Sequence, residues 1–178
     1  PGTVQGLWLS PKALREISRT LYDRISWWLP PVIWPEEEGA WKRLLAQVLR
    51  AGGRHFVCNA PWQAALFKDR SGLSLSAGPF CNIANAPALG VLEQMGFSLA
   101  MISPDIGEED LLSLPGQSPL PLGIVLSGFW PAGITRHRVK GIKPMESFQT
   151  PRGEDFWVRR HGQNVWLYPA WPLDIALH

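Results

Sequence analysis

The side chains best suited to chemistry in this sequence follow short apolar runs. Eight polar side chains lie at or just beyond the ends of predicted strands: Asn59, Asn82, Asn85, Ser103, Asp105, Ser127, Arg136 and His137. In α/β proteins, functional groups gather where parallel strands end at their carboxyl edge. The sequence therefore predicts a polar pocket there, with Asp105 as acid, His137 as base and Arg136 as cationic clamp. The asparagines and serines are expected to bind substrate.

Several of these side chains also fit structural roles. Asn85 precedes a helical pattern with Pro87 in its first turn, which favours a helix cap over a ligand. Asp105 is equally suited to cap a helix that begins near Gly107. Ser103 and Ser127 lack the G-x-S-x-G turn that would mark an exposed nucleophile.

Histidine and cysteine spacing gives no metal or cofactor signature. The four histidines show no H-E-x-x-H or comparable pattern, so no metal site is predicted. Cys58 and Cys81 are too few for a disulfide scaffold, and free thiols in a cytoplasmic protein are expected. No apolar run approaches the roughly 18 residues of a membrane span, so a membrane partner is not expected.

Tryptophan and positive charge are the unusual features of the composition. The chain has ten Trp and seventeen Pro, which favour rigid loops packed by aromatic rings over a platform for sugar or peptide. Residues 131–178 carry seven Lys and Arg against four Asp and Glu. The segment 136–143 could bind phosphate or an RNA backbone, although a solvated basic loop is the simpler interpretation.

The elements that must position these groups alternate along the chain. Apolar runs predict five strands at Ile25–Ile33, His55–Cys58, Leu73–Ala77, Phe97–Ile102 and Gly123–Ser127. Helical patterns fall before or between them at Pro11–Tyr22, Glu36–Ala51, Pro61–Lys68, Asn85–Met95 and Glu108–Leu114. Residues 129–155 are loop-like, and a β-hairpin follows at Phe156–Arg160 and Val165–Pro169.

This order predicts an α/β fold of parallel βα repeats that form a partial or truncated TIM-like barrel, with a C-terminal β-hairpin. The repeats occupy residues 1–128, and residues 129–178 form a loop and hairpin tail packed on them. A complete barrel needs about 250 residues. The pattern thus fits a truncated barrel, the second part of a longer barrel, or a compact open α/β domain.

One stretch also carries a family resemblance. Asn82-Ile83-Ala84-Asn85 matches an N-x-x-N segment, and a helix with Leu92 and Gly96 follows it. Ser103-Pro104-Asp105-Ile106 then stands where the family pattern reads S-P-E-L. With the next strand and Arg136, this order resembles the collagenase-like U-32 peptidases over about residues 25–140. The resemblance implies a barrel domain and a hydrolase whose substrate is a peptide or RNA.

The missing cysteines are the main departure from that family. Many members resemble iron–sulfur proteins with several cysteines after this region, whereas residues 129–178 contain none. Cys58 and Cys81 cannot supply the four thiolates of a cluster, so an iron–sulfur cofactor is disfavoured and no other is identified. The alternative function is a non-catalytic binding module that uses the Trp-rich surface and basic tail. The expected partner is the missing front part of the same chain or a second copy.

Overall fold

A computed structural model describes residues 5–137 and 141–175. The chain forms two compact units, Pro1–Ile124 and Val125–His178. Part of the predicted basic segment, residues 138–140, and the last histidine at 178 lie outside the described residues. Within the described ranges, no helix has both the length and the apolar character needed to cross a lipid bilayer.

Six parallel strands form the sheet of the first unit, which curls into a half-barrel. The strands are β1 (Gln5–Trp8), β2 (Ile25–Trp28), β3 (His55–Cys58), β4 (Ser74–Ala77), β5 (Leu99–Met101) and β6 (Leu122–Gly123). Their order in the sheet follows the order in the chain. The α/β class and the parallel sheet predicted from sequence are therefore confirmed.

Helices connect these strands. The α-helices of the first unit are α1 (Pro11–Glu16), α2 (Glu38–Arg50), α3 (Ala86–Gln94) and α4 (Glu108–Ser113). Short 3₁₀ helices lie at Arg19–Arg24, Pro35–Glu37, Pro61–Leu66, Pro79–Cys81 and Leu114–Gln117. Ser10 caps α1, because its Oγ accepts from the Ala13 amide at 3.1 Å.

The core of the first unit lies on one face of the sheet. Trp27, Phe56 and Leu75 stand side by side on β2, β3 and β4 and are at most 1% exposed. They share one buried cluster with Leu45 and Leu89 of α2 and α3. Because strand side chains alternate, the neighbouring row that contains Trp28 points to the opposite face.

One strand was missed, and two strand predictions are wrong in their bounds. β1 was not expected, since its four residues include Gly6 and give only a weak alternating pattern. β2 ends at Trp28 because Pro30 and Pro31 lack the amide hydrogens that a central strand needs. β6 contains only Leu122–Gly123, so the predicted strand Gly123–Ser127 is broken after its first residue.

The predicted helix Pro11–Tyr22 is also wrong in its second half. α1 ends at Glu16, and residue 17 has an extended backbone. A 3₁₀ helix then follows at Arg19–Arg24, which buries Tyr22. The Trp27 indole donates to the Tyr22 carbonyl at 3.1 Å. The apolar residue at position 22 is therefore explained by its burial in this short helix and not by a continuous α-helix.

The second unit is antiparallel. β7 (Ser127–Gly128) pairs with β12 (Leu173–Asp174), and a four-stranded sheet has the order β8-β11-β10-β9. These four strands are β8 (Gly133–Thr135), β9 (Ser147–Gln149), β10 (Asp155–His161) and β11 (Asn164–Pro169). The expectation that residues 129–155 are loop-like is therefore wrong at two short strands, whose three residues each give little periodicity.

Candidate functional site

The carboxyl edge of the half-barrel brings the loops after β4 and β5 together. Ile83 and Ile102 form an isolated parallel bridge, and the Ser103 amide donates to the Ile83 carbonyl at 2.8 Å. Asn82 precedes one bridge residue and Ser103 follows the other. Two of the predicted binding residues thus lie on paired neighbouring segments.

A tight turn holds Ser103 and Asp105 at this edge. Ser103 is 6% exposed, and its Oγ accepts from the Asp105 amide at 3.3 Å. Asp105 itself is exposed. The cap of α4 is Gly107, so the alternative in which Asp105 caps that helix is wrong. Its carboxylate is therefore available at the carboxyl edge.

Both asparagines after β4 have structural reasons for their identity. Asn82 has a φ of +52°, in the left-handed region that asparagine tolerates better than most residues. Asn85 Oδ1 accepts from the Ala88 amide at 2.9 Å and caps α3. The cap interpretation of Asn85 is confirmed, while the exposed Asn82 amide stands beside the Ile83–Ile102 bridge.

Asn59 is buried, and hydrogen bonds from Asn59 and Gln63 connect the loop after β3 to the loop after β2. Asn59 Nδ2 donates to the Leu29 carbonyl at 2.7 Å, and Gln63 Nε2 donates to the Pro30 carbonyl at 2.7 Å. Gln63 Oε1 in turn accepts from the Asn59 amide at 2.9 Å. Gln63 was not among the predicted site residues, although glutamine at the third position of a helix is a known signal for bonding back to the helix start.

The other polar atom of this asparagine, Asn59 Oδ1, is buried without a hydrogen-bond partner among the described residues. It packs against Gly78, where an added Cβ would lie 2.0 Å from it. The Gly78 amide also donates to the Cys58 carbonyl at 2.7 Å. The Asn59 side chain therefore occupies the space that a Cβ at position 78 would need, and glycine is the residue that fits there.

The two cysteines beside this edge are free thiols. Cys81 Sγ donates to the Cys58 carbonyl at 3.3 Å. Burial raises the pKa of each thiol to about 12, so both stay protonated at neutral pH. Neither thiol is poised as a nucleophile. Among the described residues, no group of three His, Cys, Asp or Glu side chains is arranged to hold a metal ion.

Three aromatic rings span the same end of the half-barrel, and we call Trp8, Trp28 and Phe80 the edge aromatic cluster. The Trp8 ring lies 5.5 Å from Trp28 and 6.3 Å from Phe80, in edge-to-face geometry. β1 and β4 are three strand spacings apart, or about 14 Å across a flat sheet. The curl of the sheet shortens this distance and helps to bring Trp8 into contact with Phe80.

Gly6 makes room for this cluster. A Cβ at Gly6 would lie 2.5 Å from Trp28 Nε1, so the indole packs directly over the β1 backbone. Trp8 is the more exposed tryptophan of the pair that ends β1 and β2, with 41% of its surface accessible. The cluster was not predicted from the sequence, although Trp8 and Trp28 end consecutive strands at paired positions.

The remaining predicted site residues belong to the second unit. Ser127 pairs with Asp174 in the β7–β12 ladder. Arg136 and His137 follow β8, and the His137 amide donates to Thr135 Oγ1 at 2.9 Å. That these three residues share one site with Asp105 stays a prediction.

The chain was compared with protein-family models, with curated proteins and with solved structures, and no match was found in any of the three. The resemblance to U-32 peptidases therefore stays a prediction from the quoted motifs. Function is inferred below from the geometry of the carboxyl edge.

Proposed function

We propose that the first unit is a peptide-binding module whose ligand lies across the edge aromatic cluster. The observation that carries this proposal is the contact of Trp8 with both Trp28 and Phe80 across the curved face, with Trp8 left 41% exposed. Tryptophan offers a large, rigid contact area at a low cost in conformational entropy. Aromatic-lined grooves suit extended, proline-containing peptides, which have no internal hydrogen bonds to give up.

Polar groups beside the cluster complement such a ligand. Phe80 and Asn82 share one loop, and the Ile83–Ile102 bridge joins that loop to the end of β5. The exposed Asn82 amide and Asp105 carboxylate can pair with the backbone of a bound peptide. The resemblance to collagenase-like peptidases independently favours a peptide over a sugar.

The test compares two exposed tryptophans. Trp8→Ala removes a ring of the cluster, while Trp62→Ala removes a ring of similar exposure, 44% against 41%, outside it. Binding of a fluorescent Pro-Pro-Gly repeat peptide is measured by anisotropy. We expect Trp8→Ala to lose about 1–2 kcal/mol, or roughly 5–30-fold in affinity, and Trp62→Ala to bind like wild type. Equal losses in both variants would contradict the proposal.

Peptide hydrolysis is a second candidate, favoured by the exposed Asp105 carboxylate at the same edge. In the U-32-like scheme Asp105 serves as the acid, with Arg136 and His137 as clamp and base. Asp105→Asn should then abolish cleavage of the Pro-Pro-Gly peptide while its affinity stays near the wild-type value. Unchanged cleavage in this variant would contradict the role of Asp105. Absence of cleavage by the wild type would leave peptide binding as the function.

We further propose that the half-barrel belongs to a TIM-like barrel closed by additional strands from a preceding segment or a second copy. The Leu9 amide donates to the Trp28 carbonyl at 2.8 Å. Because amides alternate along a strand, the Gly6 amide points away from β2. Closure predicts slow hydrogen exchange at the Gly6 amide, whereas fast exchange would refute it. Light scattering then separates the two sources by mass.

A further inference from the structure

A separate cleft lies at the opposite end of the strands from the edge aromatic cluster. It lies between the Arg19–Arg24 helix and the end of α2, segments that lead into the starts of β2 and β3. The cleft encloses about 570 Å³, within the range of small-molecule sites. Its lining residues are Leu14, Arg19, Tyr22, Gln47, Arg50 and Ala51.

The charged residues that line this cleft are all cationic. Arg19 and Arg50 both line it, and no carboxylate does. In the described part of the chain, neither guanidinium lies within ion-pair distance of Asp or Glu, whereas Lys12 of α1 and Lys42 of α2 pair with acidic residues. Two unneutralised cations around one concavity create a positive potential that attracts an anion.

One of these cations is held in place. Arg50 Nε donates to the Ala46 carbonyl at 3.1 Å, one turn earlier on α2. This bond leaves the terminal Nη1 and Nη2 groups of Arg50 available to a ligand. Arg54 is different, because its Nη1 is bonded to the Leu49 and Gly53 carbonyls, and it does not line the cleft. Arg50 is thus already oriented for a bidentate contact.

The wall behind the cations is rigid and largely apolar. Tyr22 is 3% exposed, its hydroxyl donates to the Leu14 carbonyl at 3.0 Å, and its ring packs 4.8 Å from Trp27. Leu14 and Ala51 add aliphatic surface, and the Gln47 amide adds one neutral polar group. A ligand that matches these walls has an anionic end and a compact apolar body.

We propose that this cleft binds a phosphate ester of a small organic molecule. A phosphomonoester carries nearly two negative charges at neutral pH, which matches two guanidinium groups better than a single carboxylate does. Arginine donates in parallel to two phosphate oxygens, a geometry that lysine cannot reproduce. The apolar wall then contacts the organic group of the ester.

The experiment uses phenyl phosphate as the probe, with inorganic phosphate and benzoate as comparisons, in calorimetric titrations at constant ionic strength. Arg19→Gln and Arg50→Gln each remove one cation of the cleft, and Arg43→Gln makes the same change earlier on α2, outside it. We expect each cleft variant to bind phenyl phosphate about tenfold more weakly, with Arg43→Gln unchanged. Phenyl phosphate should bind more tightly than either comparison ligand.

Three outcomes would overturn this assignment. They are the absence of saturable phenyl phosphate binding by wild type, an equal loss in Arg43→Gln, and inorganic phosphate binding as tightly as the ester. Because Arg19, Arg43 and Arg50 are exposed, their substitution should leave the melting temperature unchanged, which shows that lost binding is not lost folding. Trp8→Ala should retain phenyl phosphate binding, so this test is independent of the peptide proposal.

Discussion

At the scale of single residues, two glycines determine how the carboxyl edge packs. Gly78 lies against Asn59 Oδ1, and Gly6 lies under the Trp28 indole. Neither position is explained by a turn, since both glycines fit through the absence of a Cβ. The packing of Asn59 and Trp28 at this edge therefore depends on the absence of a Cβ at Gly78 and Gly6.

Replacement of Gly78 by alanine should destabilise the protein. The new Cβ would approach Asn59 Oδ1 to 2.0 Å, so the asparagine must move and strain its bond to Leu29. We expect a loss of about 1–3 kcal/mol in the free energy of unfolding, measured with urea. Gly90→Ala on α3, where the Cβ meets nothing within 4 Å, is the control and should stabilise by up to about 1 kcal/mol. Equal stability of both variants would contradict the packing argument.

The buried thiols make a second residue-scale prediction. Burial raises the pKa of Cys58 and Cys81 from the ordinary value of 9.0 to about 12. The native thiols should therefore react with a disulfide reagent more slowly than in urea, by on the order of a hundredfold or more. Reaction of Cys81 at the rate of the unfolded chain would show that the thiol is not buried as described.

The same pKa shift gives stability a defined pH dependence. Between pH 9 and 12 the folded thiols keep protons that the unfolded thiols have lost. Their contribution to stability is complete below about pH 9 and is lost as the pH rises toward 12. Urea unfolding of wild type and Cys58→Ala across this range should show a smaller slope with pH in the variant. Parallel curves would contradict the assignment.

At the scale of elements, Asn85 separates a structural from a ligand-binding role. Asn85→Ala removes the bond to the Ala88 amide and should lower the free energy of unfolding by about 1 kcal/mol. Asn85→Ser restores an N-cap oxygen and should recover most of that loss. Peptide affinity should stay constant in both variants. A drop in peptide affinity that serine does not restore would indicate that the Asn85 side chain contacts the peptide.

Elements whose own residues show a clear helix or strand pattern could be predicted from the sequence. Short strands that depend on pairing with a neighbouring strand could not. α2 combines an acidic start with buried Leu45 and Val48 at helical spacing, and β3 contains three consecutive buried apolar residues after His55. β1 and β6 have four and two residues, and they are strands because they pair with neighbours. Such pairing depends on contacts between distant segments, which local periodicity does not contain.

The residues of the candidate site also differ in whether they could be predicted from local sequence. Asn59, Ser103 and Asp105 were predictable at the carboxyl edge because each follows a recognisable strand. The edge aromatic cluster was not, because Trp8 and Phe80 are far apart in the sequence and meet only in the folded sheet. The burial of Asn59 also has a non-local cause, since its side chain reaches the loop after β2.

At the scale of the whole molecule, the first unit offers different chemistry at its two ends. The carboxyl edge presents aromatic rings with a carboxylate, and the amino edge presents two unpaired cations around a cleft. Salt should distinguish them. Raising NaCl from about 0.05 to about 0.5 M should weaken phenyl phosphate binding several-fold and leave Pro-Pro-Gly peptide affinity nearly constant. An equal salt dependence of the two ligands would indicate that both bind through charge.

The most direct measurement of the central claim follows the indole N–H signals during peptide titration. The chain has ten Trp, so a ¹⁵N-labelled sample gives one indole signal for each, assigned by single Trp→Phe substitutions. Peptide binding at the edge aromatic cluster predicts saturable shifts of the Trp8 and Trp28 signals, with Trp62 unmoved. Saturable shifts confined to other tryptophans, or no shift at any indole, would contradict it.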